Sequence, residues 1–237
     1  MNPFYIIIPV VLIGLAALLF FRTAPGEKLV DNLRPKPNLG DPASWTIGPI
    51  VNGENASLNM PLHPDGREQP GPGFVINMPH PENQPHYITT DYGALTGKTR
   101  VTIRGHIEGG PVLFKDGVSS ATMCLYFQRQ FDDWRAIQSD PPQLSDTETF
   151  RWYATGSALL SLAQGSFTLT ASFSDKWTAV QYSDSISKPE AFKAAMATAG
   201  EVGFVLGGFA PDGSGGWGHG VTALTPAKIV VAEFRID

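Results

Sequence analysis

The sequence predicts an all-β protein, a two-sheet antiparallel jelly-roll sandwich with one short helix, preceded by a single N-terminal transmembrane helix. Three observations predict it. Residues 4–21 are apolar and uncharged throughout. From Trp45 onward, short runs of β-branched and aromatic residues are separated by Gly, Pro, Asn and Asp turn chemistry, the pattern of an antiparallel sandwich. One stretch alone, 187–200, has the spacing of an amphipathic helix.

The apolar run FYIIIPVVLIGLAALLFF reaches roughly 27 Å as a helix at ~1.5 Å per residue, close to the hydrocarbon thickness of a bilayer. A cleaved signal peptide wants a basic start and small residues at the cut, whereas MNP carries no Lys or Arg and LLFFRTAP offers no A-x-A. Pro9, early in the span, costs one hydrogen bond and at most a kink. Prolines 25, 35, 37 and 42 make the following segment an extended spacer. The expected organisation is an anchor at 1–22, a Pro-rich linker at 23–44 and a β-sandwich domain at 45–237. Arg22, Lys28, Arg34 and Lys36 follow the span, and the positive-inside rule would keep that side cytoplasmic.

Ten strands are predicted, at 45–51, 73–78, 86–92, 99–108, 121–129, 149–155, 166–173, 176–182, 201–209 and 227–236. Val101, Ile103 and Gly105 alternate with Thr102 and Arg104, and Phe167, Leu169, Ala171 and Phe173 with Thr168, Thr170 and Ser172, which places one face of each strand in a core. Asp116-Gly117 and Asp212-Gly213 supply turns that need positive φ. In the helix, Ser187 and Glu190 form a capping box, Pro189 sits in the first turn, Phe192, Ala195, Met196 and Ala199 share a face, and Gly200 ends it.

Composition narrows the function. A net charge of −5 with no basic cluster in the folded part gives nucleic acid no electrostatic footprint. Cys124, the only cysteine, reads as a small buried hydrophobe. No G-x-S-x-G elbow, phosphate loop or metal-ligand spacing is present, so neither a cofactor nor a metal is expected. His106 and Glu108 share a strand face, and with Asp132, Asp133 and His219 they are the residues a polysaccharide-acting enzyme would use. Alternation in RWYAT and KWTAV buries Trp152 and Trp177, which leaves Trp134 and Trp217 for a surface. Sugar rings stack on such aromatics while charged side chains bond their hydroxyls. The candidate ligand-binding residues are therefore Asp132, Trp134 and Arg135 in FDDWRA, and Trp217 and His219 in GWGHGV. A structural His219 that bonds a neighbouring loop is the competing reading. Hairpin geometry explains the surrounding glycines, with APDGSGG as a turn and WGHGV as the start of the next strand.

The series HYITTDYGALTG, LYFQRQFDDW, FRWYAT, KWTAV, EAFKAAM, VGFVLGG, GHGV and AKIVVAEFRI resembles uncharacterised β-sandwich proteins of bacteria and their phages and, more distantly, jelly-roll carbohydrate-binding modules. The likeness covers about two thirds of the chain. It implies a sandwich that binds glycan and a domain on the periplasmic or outer side of the membrane, against the charge rule. The expected protein is thus a membrane-anchored, non-catalytic binding domain for glycan or another envelope component. The alternatives are an accessory subunit of a larger membrane complex or virion, and an enzyme acting on polysaccharide.

Overall fold

The computed structural model describes residues 35–48, 60–61, 73–78, 86–130, 132, 149–156, 159–179, 183–208 and 218–237. The predicted membrane span and the first part of the linker lie outside these residues, and no helix among the described residues is long and apolar enough to cross a membrane. Lys36–Asp237 form one compact unit.

In chain order the described strands are β1 (Thr46–Gly48), β2 (Met60–Pro61), β3 (Phe74–Met78), β4 (Tyr87–Asp91), β5 (Arg100–Gly109), β6 (Val112–Phe114), β7 (Thr122–Arg129) and β8 (Arg151–Tyr153). They continue with β9 (Leu159–Ser161), β10 (Gly165–Ser172), β11 (Thr178–Ala179), β12 (Ala199–Gly208), β13 (Gly218–His219), β14 (Val221–Ala223) and β15 (Ala227–Ile236), with the helix α1 (Pro189–Ala197) before β12. All described pairings are antiparallel. The large sheet runs β11-β8-β7-β12-β4-β1-β2, with β9 on β7 and β13 on β12; the small sheet runs β10-β5-β15-β3; β6 and β14 form a separate ribbon.

All ten predicted strands are present with trimmed or shifted ends, and five short strands stand outside those ten. The expected WGHGV strand divides into β13 and β14 because Gly220 takes φ 87, a left-handed conformation that stops the ladder. At the predicted Asp116 turn, the carboxylate accepts the amides of Val118 and Ser119, both at 2.8 Å, and Gly117 takes φ 72.

The sheets pack face to face through aromatic residues that alternate inward. Trp45 lies 4.8 Å from Phe74 and 4.9 Å from Phe234, which joins the start of the large sheet to two strands of the small one. At the other end Trp177 meets Phe173 and Phe127, and Phe192 of α1 closes against Trp152 at 4.9 Å. Trp45, Trp152 and Trp177 are fully buried, as alternation predicts for the last two, and truncating one to Ala costs about 3–5 kcal/mol. The sequence VVAEF keeps β15 amphipathic through a bulge. The register shifts between Val231 and Glu233, so Ala232 is the extra residue and Phe234 and Ile236 return to the core despite the change of parity.

Two sequence expectations are corrected. No capping box forms at α1. Asp184 takes the amides of Ile186 and Ser187, the Ser187 hydroxyl turns to the Asp184 carbonyl, and Lys188 occupies the cap position without a side-chain bond. Gly200 does not end the helix, which stops at Ala197 with Thr198 as its cap. It belongs to β12, where a Cβ would sit 3.0 Å from the Gln130 side chain. Residues 36–44 lie on the folded unit: Lys36 Nζ donates to the Tyr92 carbonyl at 2.7 Å, Trp45 Nε1 to the Leu39 carbonyl, and Gly73 N to the Gly40 carbonyl.

Candidate binding face

Because the two sheets bury their inner faces against each other, each keeps an outer face, and the two differ in chemistry. On the small sheet the outer face is a ladder of surface ion pairs: Arg100 with Asp237 at 2.9 Å, Arg104 with Glu233 at 3.4 Å, and Arg235 with Glu233 at 3.0 Å. His106 Nε2 meets Glu108 Oε1 at 2.7 Å on this face, as the strand spacing predicts. These side chains are a third to a half exposed, and such pairs contribute about 0–1 kcal/mol each.

The outer face of the large sheet is different. Strand registry lays its side chains in rows. One row reads Arg151, Gln128, Glu201 and Asp91 across β8, β7, β12 and β4. The next reads Thr178, Tyr153, Tyr126, Gly203, Thr89 and Thr46 across six strands. The third places Cys124, Val205 and Tyr87 side by side. These are the positions that alternate with the core residues Phe127, Trp152, Phe204 and Ile88, so the period of two that builds the core also collects the polar groups.

This polar layer is buried and internally bonded. Tyr87, Tyr126, Tyr153, Gln128, Arg151 and Thr89 are all less than 5 % exposed. The Tyr87 and Tyr153 hydroxyls share a hydrogen bond of 2.8 Å, the Tyr126 ring packs on both neighbours, and its hydroxyl donates to Gln128 Oε1. Asp132, just past β7, turns back to Arg151, accepting from Nε and, at 2.7 Å, from Nη2, in the bidentate geometry that suits guanidinium. Thr89 Oγ1 donates to Glu201 Oε2 at 2.6 Å. Gly203 lies between Tyr126 and Thr89 because no side chain fits there: a Cβ would stand 1.9 Å from the Ile88 carbonyl oxygen.

Burial sets the protonation states. It pushes the Tyr87 hydroxyl up to about 12 and the Tyr126 and Tyr153 hydroxyls well above the ordinary tyrosine value, so all three stay neutral donors. Burial also raises the Glu201 carboxyl, opposed by the Thr89 hydrogen bond and reinforced by the Asp91 charge. For Arg151 burial works against the charge, but the Asp132 bond and carboxylate outweigh it and hold the guanidinium protonated. The layer therefore holds neutral hydroxyls, one amide, a partly buried carboxyl and a compensated ion pair. Among the described residues no group of three or more His, Cys, Asp or Glu side chains could hold a metal ion.

Of the predicted ligand-binding residues, Asp132 belongs to this layer, locked to Arg151. His219 is in β13, opposite Gly207 of β12, and its side chain lies outside the description; Trp134, Arg135 and Trp217 lie outside the described residues altogether. His106 and Glu108 are on the opposite layer from Asp132, so these members of the proposed enzymatic set do not converge. The sequence reading missed Tyr87, Tyr126, Gln128, Arg151, Tyr153 and Glu201. Their signal was present in YITTD, CLYFQR and RWY, where tyrosine or a polar residue fills every second position between core residues.

The fold and this layer define an all-β protein of two packed antiparallel sheets with a buried, internally bonded polar layer on the larger. No protein-family model matches the chain, and no curated protein is detectably similar to it.

Proposed function

We propose that the protein is a non-catalytic binding domain of jelly-roll type, carried on the N-terminal apolar helix as a single-pass membrane anchor, and that it holds an envelope glycan at the outer face of the large sheet on the periplasmic or outer side. One observation carries the reading: the rows formed by Arg151, Gln128, Glu201, Tyr126 and Thr89 gather hydrogen-bonding groups in register, in a buried polar layer on the side of the large sheet turned away from the small one. The guanidinium, amide and carboxyl each have a partner inside the layer, which offsets the cost of burying them and holds them in fixed positions. Pyranose hydroxyls both donate and accept, and so match this mixture. The face also brings Asp132 in, which lies at the start of the segment carrying Trp134 and Arg135.

The test is glycan-array screening of the full chain in detergent, followed by calorimetric titration with the strongest ligand. Glu201→Gln and Gln128→Ala should each weaken binding by about 5- to 150-fold, the effect of losing a hydrogen bond worth roughly 1–3 kcal/mol. A folded chain that binds no glycan, or variants that bind as tightly as the natural sequence, would overturn the proposal.

A further inference from the structure

Among the described residues strand β10 ends the small sheet, paired with β5 alone. Which main-chain groups turn away from β5 follows from its last residues. Phe173 N donates to the Thr99 carbonyl, toward β5, while Ser172 N donates instead to the Asp175 carboxylate. Alternation then turns the N–H and C=O of Ser166, Thr168 and Thr170 away from β5. Beyond the β5 ladder, no hydrogen bond among the described residues reaches their main chain, and all three side chains are exposed. Native edge strands are normally guarded by Lys, Pro, a bulge or short length. Over its eight residues, GSFTLTAS, β10 has no charge, no Pro and an unbroken register with β5.

The residues also identify what fits there. Ser166-Phe167-Thr168-Leu169-Thr170-Ala171-Ser172 reads almost the same in both directions about Leu169. We infer that β10 is a self-pairing edge, through which two copies of this chain join antiparallel about a two-fold axis at Leu169 and continue the small sheet across the dimer. In that register Thr168 faces the partner's Thr170, Ser166 faces the partner's Ser172, and Phe167 faces the partner's Ala171, large against small. The Thr168 and Thr170 pairs are the ones whose main-chain groups point outward, so each exchanges both N–H···O bonds, and Leu169 forms the close, non-bonded pair between them. Threonine opposite threonine is a favourable cross-strand pair, and an uncharged strand meets its copy without repulsion. Asp175 sets the end of the ladder by occupying the Ser172 amide. On the inner side, Leu169 and Phe167 keep 6 % and 9 % of their surface where Ile103, the β5 residue opposite Leu169, keeps none, and a second copy covers that seam.

The experiment uses the full chain in detergent. Cys124, the only native cysteine, is buried, so an introduced cysteine is the only accessible thiol. Thr168→Cys and Thr170→Cys chains carrying different size tags are mixed and oxidised. Pairing about Leu169 predicts a disulfide chiefly between the two different chains, with little between identical ones. In parallel, light scattering follows Thr168→Pro, which removes an N–H that points away from β5. It should raise the dimer dissociation constant tenfold or more with an unchanged circular dichroism spectrum. Thr168→Lys, an exposed charge at the same place, should do the same and replaces the proline variant if that fails to fold. Cross-linking that ignores register, dimers unaffected by both substitutions, or a monomer at every concentration overturns the inference. The apolar N-terminal run cannot imitate the result, since association through it would not favour the mixed Thr168→Cys and Thr170→Cys pair over two identical chains.

Discussion

Replacing Asp132 by Ala puts the buried ion pair of the polar face to a direct test. The carboxylate takes two donors of Arg151, and the side chains are 1 % and 5 % exposed, so water cannot enter to replace it without opening the face. Removing one partner of such a pair costs about 3–5 kcal/mol, because the remaining charge keeps its desolvation cost and loses its compensation. For a unit of about 200 residues each kcal/mol moves the midpoint by ~2–4 °C, so Asp132→Ala should lower Tm by roughly 6–20 °C. The assay is thermal and urea unfolding of the full chain, followed by tryptophan fluorescence; Trp152, adjacent to Arg151, is among the reporters. Removing both charges, in Asp132→Leu with Arg151→Met, should recover much of the loss, since an apolar pair of similar volume is often neutral or better. A loss below about 1 kcal/mol for Asp132→Ala, or a double variant as unstable as the sum of the singles, refutes the reasoning.

Three further outcomes follow from the same geometry. Glu201 has its pKa raised in the folded state, so its contribution to stability is complete below the ordinary 4.5 and declines as pH rises from there toward the folded value. Glu201→Gln keeps an acceptor for Thr89 and removes the charge; urea midpoints measured from pH 4 to 7 should show the variant gaining on the natural sequence, and a difference independent of pH contradicts the burial argument. Gly203→Ala drives a methyl into the Ile88 carbonyl and should cost about 1–3 kcal/mol in the same unfolding assay, against no change if the strands simply part. The Cys124 thiol, buried and with its pKa pushed up by burial, should stay unreactive toward a thiol reagent until the chain unfolds; prompt labelling in native buffer contradicts its placement.

The strands were legible because their hydrophobic period is local. A residue pattern such as TRVTIRGHIE or SFTLTASF decides strand and face without knowledge of the partner. The very short strands β2, β6 and β9 were not, since each owes its existence to a neighbour that offers a free edge. The capping box failed because Asp184 takes the Ser187 amide that Glu190 would accept and its carbonyl takes the Ser187 hydroxyl, and the sequence spacing does not rank these partners. The polar face shows the deeper limit. Asp132 stood out as one of a charged pair, but its role depends on Arg151, nineteen residues later, and on strands 112 residues apart that set Thr89 against Glu201. Reading tyrosine and threonine as surface-filling strand residues hid the row they build, because cross-strand registry is a property of the sheet.

The position of β15 bears on how this protein is made. It lies between β5 and β3, pairing Phe74 with Val231 across most of the folded unit, yet it follows every one of its partners in the chain. At about 5–20 residues per second, the interval between synthesis of Ser172 and Ala227 lasts several seconds, during which β5 and β3 each expose an edge that only the later strand can fill. Closure of the sandwich therefore waits for β15, the last of its strands in the chain. A pause or a long extension beyond β10 lengthens the time in which those two open edges face the rest of the cell.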